Sequence, residues 1–165
     1  MHEGGGALSS WDDDLDATKG PAMKINDVLR GKAGQGVVTI VPDATVRDLL
    51  ALLAEHNIGA VIVSNDGDAL DGIVSERDVV RKLNGHDEVL DGAVREIMTA
   101  VVHTCEPGDD VDGLMAQMTE LRIRHVPVMD DGELIGVVSI GDVVKSRITQ
   151  LEFERDQLDS YVHQT

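Results

Sequence analysis

Apolar residues at Val46, Leu49, Leu50 and Leu53 recur at helical spacing, which predicts an amphipathic helix over 45–56. The rhythm differs on both sides of it. A β-branched run at 37–41, ended by Pro42 and Asp43, predicts a strand, and 60–64 and 70–75 predict two more around the turn residues Asn65, Asp66, Gly67 and Asp68. A second helix is expected over 76–83, closed by Asn84 and Gly85. The series then recurs with strands at 101–105, 125–129 and 134–139, a helix over 110–121, a tight turn at Asp130, Asp131 and Gly132, and a last helix from Gly141. Each half reads β-α-β-β-α, and a short lead-in precedes each, helical at 24–30 and matched at 94–99. Between the first lead-in and its strand, Gly31 to Gly36 predict a flexible loop.

The two halves also match residue by residue. Thr39, Pro42, Val46, Leu49 and Leu53 stand opposite Thr104, Pro107, Val111, Leu114 and Met118, and Ile58 to Gly67 align with Ile123 to Gly132 at the same spacing. One residue is lost between Gly67 and Gly72, where a turn absorbs it. Beyond that point Gly72-Ile73-Val74-Ser75-Glu76-Arg77-Asp78 aligns with Gly136-Val137-Val138-Ser139-Ile140-Gly141-Asp142. So long a period fits two copies of a supersecondary unit packed on each other rather than a solenoid. Neither copy is large enough to enclose its own core, so the sheets are expected to pack together about an approximate internal twofold axis.

In both copies a strand runs into Ser-x-x-Asp at a helix start. The structural reading is a helix N-cap. The functional reading is a hydroxyl and a carboxylate that hold a polyol, beside free backbone N–H groups that attract phosphate. Two copies in register favour the second.

The order Thr, Pro-x-x-x-Val, apolar helix, Ile-x-x-Val-x-Val, Asp-Gly turn and Gly-apolar-apolar-Ser-x-x-Asp resembles a tandem pair of cystathionine-β-synthase (CBS) domains, the Bateman module of stand-alone bacterial-type CBS proteins, over roughly residues 24–150. The resemblance implies an α+β fold of two β-α-β-β-α repeats related by a pseudo-twofold axis, with a long C-terminal helix. The expected divisions are an acidic disordered arm at 1–22, repeats at 23–90 and 91–150, and a helical extension at 151–165. It further implies a regulatory protein that binds an adenine-containing ligand in the clefts between the copies: AMP, ADP or ATP, or NAD or S-adenosylmethionine. The alternative is a dimerising interaction module without a physiological ligand.

By the same resemblance, Asp78 and Asp142 accept hydrogen bonds from ribose hydroxyls, Ser75 and Ser139 cap the helices and face ribose or phosphate, and Thr39 and Thr104 line the clefts. Ala60, Val61 and Ile62 in one copy, and His125, Val126 and Pro127 in the other, supply backbone and apolar contacts to the base. The copies differ. Arg122, Arg124 and His125 stand where the first copy has Asn57, Gly59 and Ala60, and Pro127 stands where it has Ile62. Ser139 and Asp142, with Arg124 and His125 beside them, are therefore expected to form the stronger site.

Charge and composition narrow the partners. A net charge of −17 argues against nucleic acid or an anionic membrane surface as partner. It leaves a small anion open, since seven bases (Arg77, Arg81, Lys82, Arg122, Arg124, Lys145, Arg147) cluster in or beside the repeated motifs. Aromatic residues make up only 2%, so the core must be aliphatic. Residues 1–22, with Gly4-Gly5-Gly6 and Asp12-Asp13-Asp14, have little to bury and are expected to stay disordered. Trp11 is the arm's one aromatic side chain, and Met23 is an alternative start to Met1.

Cys105 is the only cysteine, which excludes an internal disulfide and suggests a reducing, cytoplasmic setting. No apolar run is long enough to span a bilayer and no secretory signal is present.

An enzyme is not expected. His103, His125 and Cys105 have neither metal-ligand spacing nor a nucleophile elbow around them, and there is no phosphate loop of the Walker type. No catalytic residue, metal site or catalytic cofactor is assigned. From Asp142 through Tyr161 no glycine or proline interrupts the chain, and Val144, Ile148, Leu151, Leu158 and Tyr161, with Phe153 to one side, form a broken apolar stripe. Such a stripe outlasts what one small unit covers and predicts a homodimer contact. An effector protein is implied and the chain does not identify it.

Overall fold

A computed structural model describes residues 22–164; the acidic arm expected at 1–22, with Trp11, lies outside them but for Ala22. The elements follow chain order: α1 (Ile25–Gly31), β1 (Thr39–Ile40), α2 (Val46–His56), β2 (Ala60–Val63), β3 (Gly72–Ser75), α3 (Glu76–Leu83), α4 (Val111–Leu121), β4 (His125–Asp130), β5 (Glu133–Ser139) and α5 (Ile140–Val162), with 3-10 turns at Asp87–Asp91 and Val94–Glu96 between the copies. The architecture is the α+β pair of repeats with a long last helix that the pattern predicts.

Local chemistry sets most of the helix starts. Thr45, Ser75 and Ser139 each accept a hydrogen bond from the backbone N–H three residues on, and Asp48, Asp78 and Asp142 in return each accept one from the cap's own N–H. At their C-terminal ends α2 and α4 stop on Asn57 and Arg122, both left-handed with φ of 50° and 55°.

Strand pairing is sparser than the β-branched runs suggest. In the first copy β1 pairs parallel with β2, and β2 pairs antiparallel with β3; in the second only β4 and β5 pair, also antiparallel. The expected strand at 37–41 is therefore two residues long. The one expected at 101–105 is absent as a strand and survives as a single bridge between Cys105 and Val128. Only Cys105 of that run is buried and bonded on both sides, through Cys105 N to the Pro127 carbonyl at 3.0 Å and Met129 N to the Cys105 carbonyl at 2.8 Å. Val101, 94% exposed, has no neighbouring strand to pair with, and β-branching alone does not make one.

The two cores exchange their lead-ins. Ile25 and Val28 of α1 are buried with Val111, Leu114, Met118 and Val143 of the second copy. Val94 and Ile97, from the segment before the second copy, are buried with Val46, Leu49 and Leu53 of the first. The contacts are reciprocal: Ile25 N donates to the Asp109 carbonyl at 2.9 Å and Val94 N to the Ala44 carbonyl at 2.8 Å, while Asn26 N and Arg95 N donate to the Pro107 and Pro42 carbonyls. An approximate twofold relation produces such pairs. Each fully buried aliphatic side chain here, Ile25 or Leu49 for example, contributes about 1.5–3 kcal/mol relative to exposure.

Candidate functional site

The strand registers set equivalent residues at equivalent points of the two copies, at a common centre between two clefts. Ala60 lies opposite Ser75 across β2 and β3, and His125 lies opposite Ser139 across β4 and β5. The helix starts interlock there as well, with Glu76 N donating to the Gly59 carbonyl at 3.0 Å and Ile140 N to the Arg124 carbonyl at 2.8 Å. Two clefts of about 1160 and 1060 Å³ flank this centre, large enough for a nucleotide-sized ligand.

In both copies the Ser-x-x-Asp step is a helix cap, so the structural reading of the motif is true. Asp78 Oδ2 accepts from Ser75 N at 2.8 Å and Ser75 Oγ at 3.0 Å; Asp142 Oδ2 accepts from Ser139 N at 2.9 Å. Capping uses one oxygen of each carboxylate. Among the described residues Oδ1 of Asp78 and of Asp142 accepts no hydrogen bond, and each carboxylate lines a cleft.

The clefts are assembled across the copies. Asp142 and Ser139 face Thr39, Ala60, Val61 and Ile62 of the first copy in the smaller cleft. Asp78 and Ser75 face Arg122, Ile123 and Arg124 of the second copy in the larger one. Ala60 and His125 line both, being on the wall between them. Val126 and Pro127 are buried behind that wall, and neither they nor the exposed Thr104 lines a cleft. The expectation that Arg124 accompanies Asp142 is thereby corrected: its carbonyl accepts from Ile140 N at the start of α5, but the residue lines the Asp78 cleft and not the Asp142 one, which removes one ground for ranking Asp142 first.

Lys32 takes the place beside Asp142 instead. Its ammonium donates to Asp142 Oδ2 and to the Val137 carbonyl, both at 2.8 Å, and the pair is largely shielded from solvent. Burial pushes the Asp142 carboxyl up, but the hydrogen bonds from Lys32 and Ser139 together outweigh it and hold the group below its ordinary value. His125 is pushed down, chiefly by burial; Lys32 and Arg124 add to that, and Asp142 and Glu76 oppose it. Its imidazole is neutral at pH 7. Sequence reasoning passed over Lys32, whose only signal was a lone base within the Gly31–Gly36 loop.

Cys105 Sγ, buried behind the second sheet, points its weak donor at the Pro127 carbonyl at 3.8 Å, and burial raises the thiol to about 12. A thiol so protonated is no nucleophile. Among the described residues no group of His, Cys, Asp and Glu is arranged to hold a metal ion, and no helix is long and apolar enough to cross a membrane.

The sequence model of the CBS domain matches the chain twice, over residues 33–85 and 94–148. Over 146 residues the chain is 37% identical to the CBS domain-containing protein CBSX3, mitochondrial, of Arabidopsis thaliana, a match spanning 84% of this chain and 71% of that one. The crystal structure of the CBS-domain containing protein ATU1752 from Agrobacterium tumefaciens superposes with a TM-score of 0.72 at 40% identity, covering 76% of this chain and 99% of the other. The CBS domain pair of protein MJ0100, solved in complex with 5'-methylthioadenosine and S-adenosyl-L-methionine, shares the fold with a TM-score of 0.68 at 23% identity, over 79% of this chain and 99% of that one.

Proposed function

This chain belongs to the CBS domain family, with two copies in tandem, and from that premise we propose that it is a regulatory protein that binds an adenine-containing nucleotide between its copies without turning it over. The ligand class is AMP, ADP or ATP, or NAD or S-adenosylmethionine. The observation that carries the reading is the pair of helix-capping aspartates, each lining a cleft with one oxygen, Oδ1, left unbonded. An ionised carboxylate with a free oxygen suits two neighbouring ribose hydroxyl donors. Backbone groups of β2 and β4 beside the clefts suit an adenine edge, and the binding of adenosyl ligands by the pair of MJ0100 supports the class.

Occupancy acts by changing the angle between copies or between subunits, and an effector protein reads that change. The subunit contact is a homodimer. Val80 and Val144, equivalent in the two copies, are exposed, as are Ile148 and Leu151 further along α5, and a second chain about a twofold axis covers them. The lone, reduced cysteine fits a cytoplasmic location.

Titration calorimetry tests the binding. Asp78→Asn and Asp142→Asn keep size and capping ability, so the loss reports the carboxylate's bond to ribose, about 1.5–3 kcal/mol for a charged hydrogen bond. Unchanged affinity in both variants leaves the steps as caps alone and supports the interaction-module reading. Steady hydrolysis by the purified protein, abolished by Asp142→Ala, would move it to the enzymes.

A further inference from the structure

The clefts match in size and differ in charge. Arg77 and Arg81 of α3, Arg122 at the end of α4 and Arg124 before β4 all line the Asp78 cleft. None of the four has a carboxylate within ion-pair distance among the described residues, whereas each of the other arginines, Arg30, Arg47, Arg95, Arg147 and Arg155, has one. That segregation arises in a chain with 31 acids against 14 Lys and Arg. The cleft's own acids, Glu76 and Asp78, offset it only in part, two carboxylates against four guanidinium groups, and neither is within ion-pair distance of an arginine among the described residues.

The arrangement is unfavourable unless something anionic occupies it. Arg77 and Arg81 stand one helical turn apart, where like charges repel. Arg122 holds a left-handed backbone, φ 55°, at the position where the first copy has Asn57, the residue better suited to it. Arg77 Nη1 reaches across to the Arg122 carbonyl at 3.3 Å, which brings the two copies' arginines to one surface. In the Asp142 cleft, by contrast, the one ammonium is already paired with Asp142.

We infer that the Asp78 cleft is a polyphosphate site, taking a nucleotide with two or more phosphates, while the Asp142 cleft takes an adenosyl ligand of lower charge. This rests on the nucleotide reading above and adds the ligand's charge. Guanidinium groups recognise phosphate oxygens in pairs, and four from three elements can surround a di- or triphosphate but are too many for one phosphate.

The test is titration of the full chain, without magnesium, against AMP, ADP, ATP, NAD and inorganic tripolyphosphate, in wild type and in Arg122→Asn, Arg124→Gln and Lys145→Gln. Arg122→Asn installs the first copy's residue and keeps the turn; Lys145→Gln removes an unpaired charge outside the cleft; circular dichroism checks that each variant is folded. The expected result is affinity rising about tenfold from AMP to ATP, tripolyphosphate competing with ATP, and each arginine variant losing about tenfold for ATP but little for AMP. Equal affinity for AMP, ADP and ATP overturns the inference and leaves the nucleotide reading standing. Tripolyphosphate binding that needs the arginines, with no nucleotide bound, does the reverse. Loss at Lys145→Gln equal to that at the arginines also overturns it, as does the absence of binding by tripolyphosphate and every nucleotide.

Discussion

His125 shows how a single side chain at the wall of both clefts ties solvent pH to the fold. Its imidazole lies among Asp142, Lys32, Glu76 and Arg124, and burial keeps its pKa below the ordinary value. The unfolded chain takes up its proton first as pH falls through about 6.5, and the native state resists, so stability falls from that point down to the native pKa. The slope of unfolding midpoint against pH between about 7.5 and 5.5 should therefore be shallower in His125→Asn than in wild type. Parallel slopes would mean that the imidazole titrates alike in both states. The capping residues were legible in the sequence because Ser-x-x-Asp is a local device that operates within one turn of chain. Lys32 was not, because its partner Asp142 lies 110 residues away and only the fold brings them together. The same limit applies to Arg124, whose neighbour across the cleft is decided by how the copies cross.

Among the elements, helices were read almost to the residue, since capping and the apolar stripe both mark them, as in α2 with Thr45 ahead and Val46, Leu49 and Leu53 inward. Strands were overcalled at 37–41, where only Thr39 and Ile40 find partners in β2, and at 101–105, where only Cys105 pairs, by a single bridge to Val128. The two equivalent strand glycines show how alike sequences meet unlike surroundings. A Cβ on Gly72 would lie 2.9 Å from the Thr99 carbonyl and 2.7 Å from Met98 Sδ, whereas one on Gly136 would meet only the tip of Leu29, Cδ2 at 2.7 Å. Leu29 can turn aside. Thr99 cannot, because Ile73 N donates to its carbonyl and Thr99 N donates back to the Ile73 carbonyl, at 3.0 and 2.8 Å. Gly72→Ala should cost about 1–3 kcal/mol in denaturant unfolding and Gly136→Ala less. Equal costs would show that the Met98–Thr99 segment yields as readily as a side chain.

At the scale of the whole molecule, α5 is the part that one chain leaves uncovered. It runs 23 residues, about 35 Å, and beyond Val143 its apolar residues Ile148, Leu151, Phe153, Leu158 and Tyr161 are all exposed, from 47% to 81%. A dimer in solution is expected at tens of micromolar, a concentration on the order of a weak dissociation constant. Phe153→Asp with Leu158→Asp should shift it to monomer in light scattering while the helical signal is kept. A wild-type monomer at that concentration would remove the dimer from the proposed mechanism. The length of the stripe was legible in the sequence; how much of it the repeats themselves cover was not, since that depends on the reach of α1 and α4 along it.

The exchange of lead-ins has a consequence for synthesis. Ile25 and Val28 leave the ribosome well ahead of Val143, and the core that buries them is complete only when that residue has emerged. The first copy waits too, for Val94 and Ile97. A nascent chain therefore holds α1 without its partner until the second copy has emerged, and neither copy can fold and finish before the other has begun. Ordering instead comes late and together, with the loop from Lys24 to Asp110 closing over 86 residues.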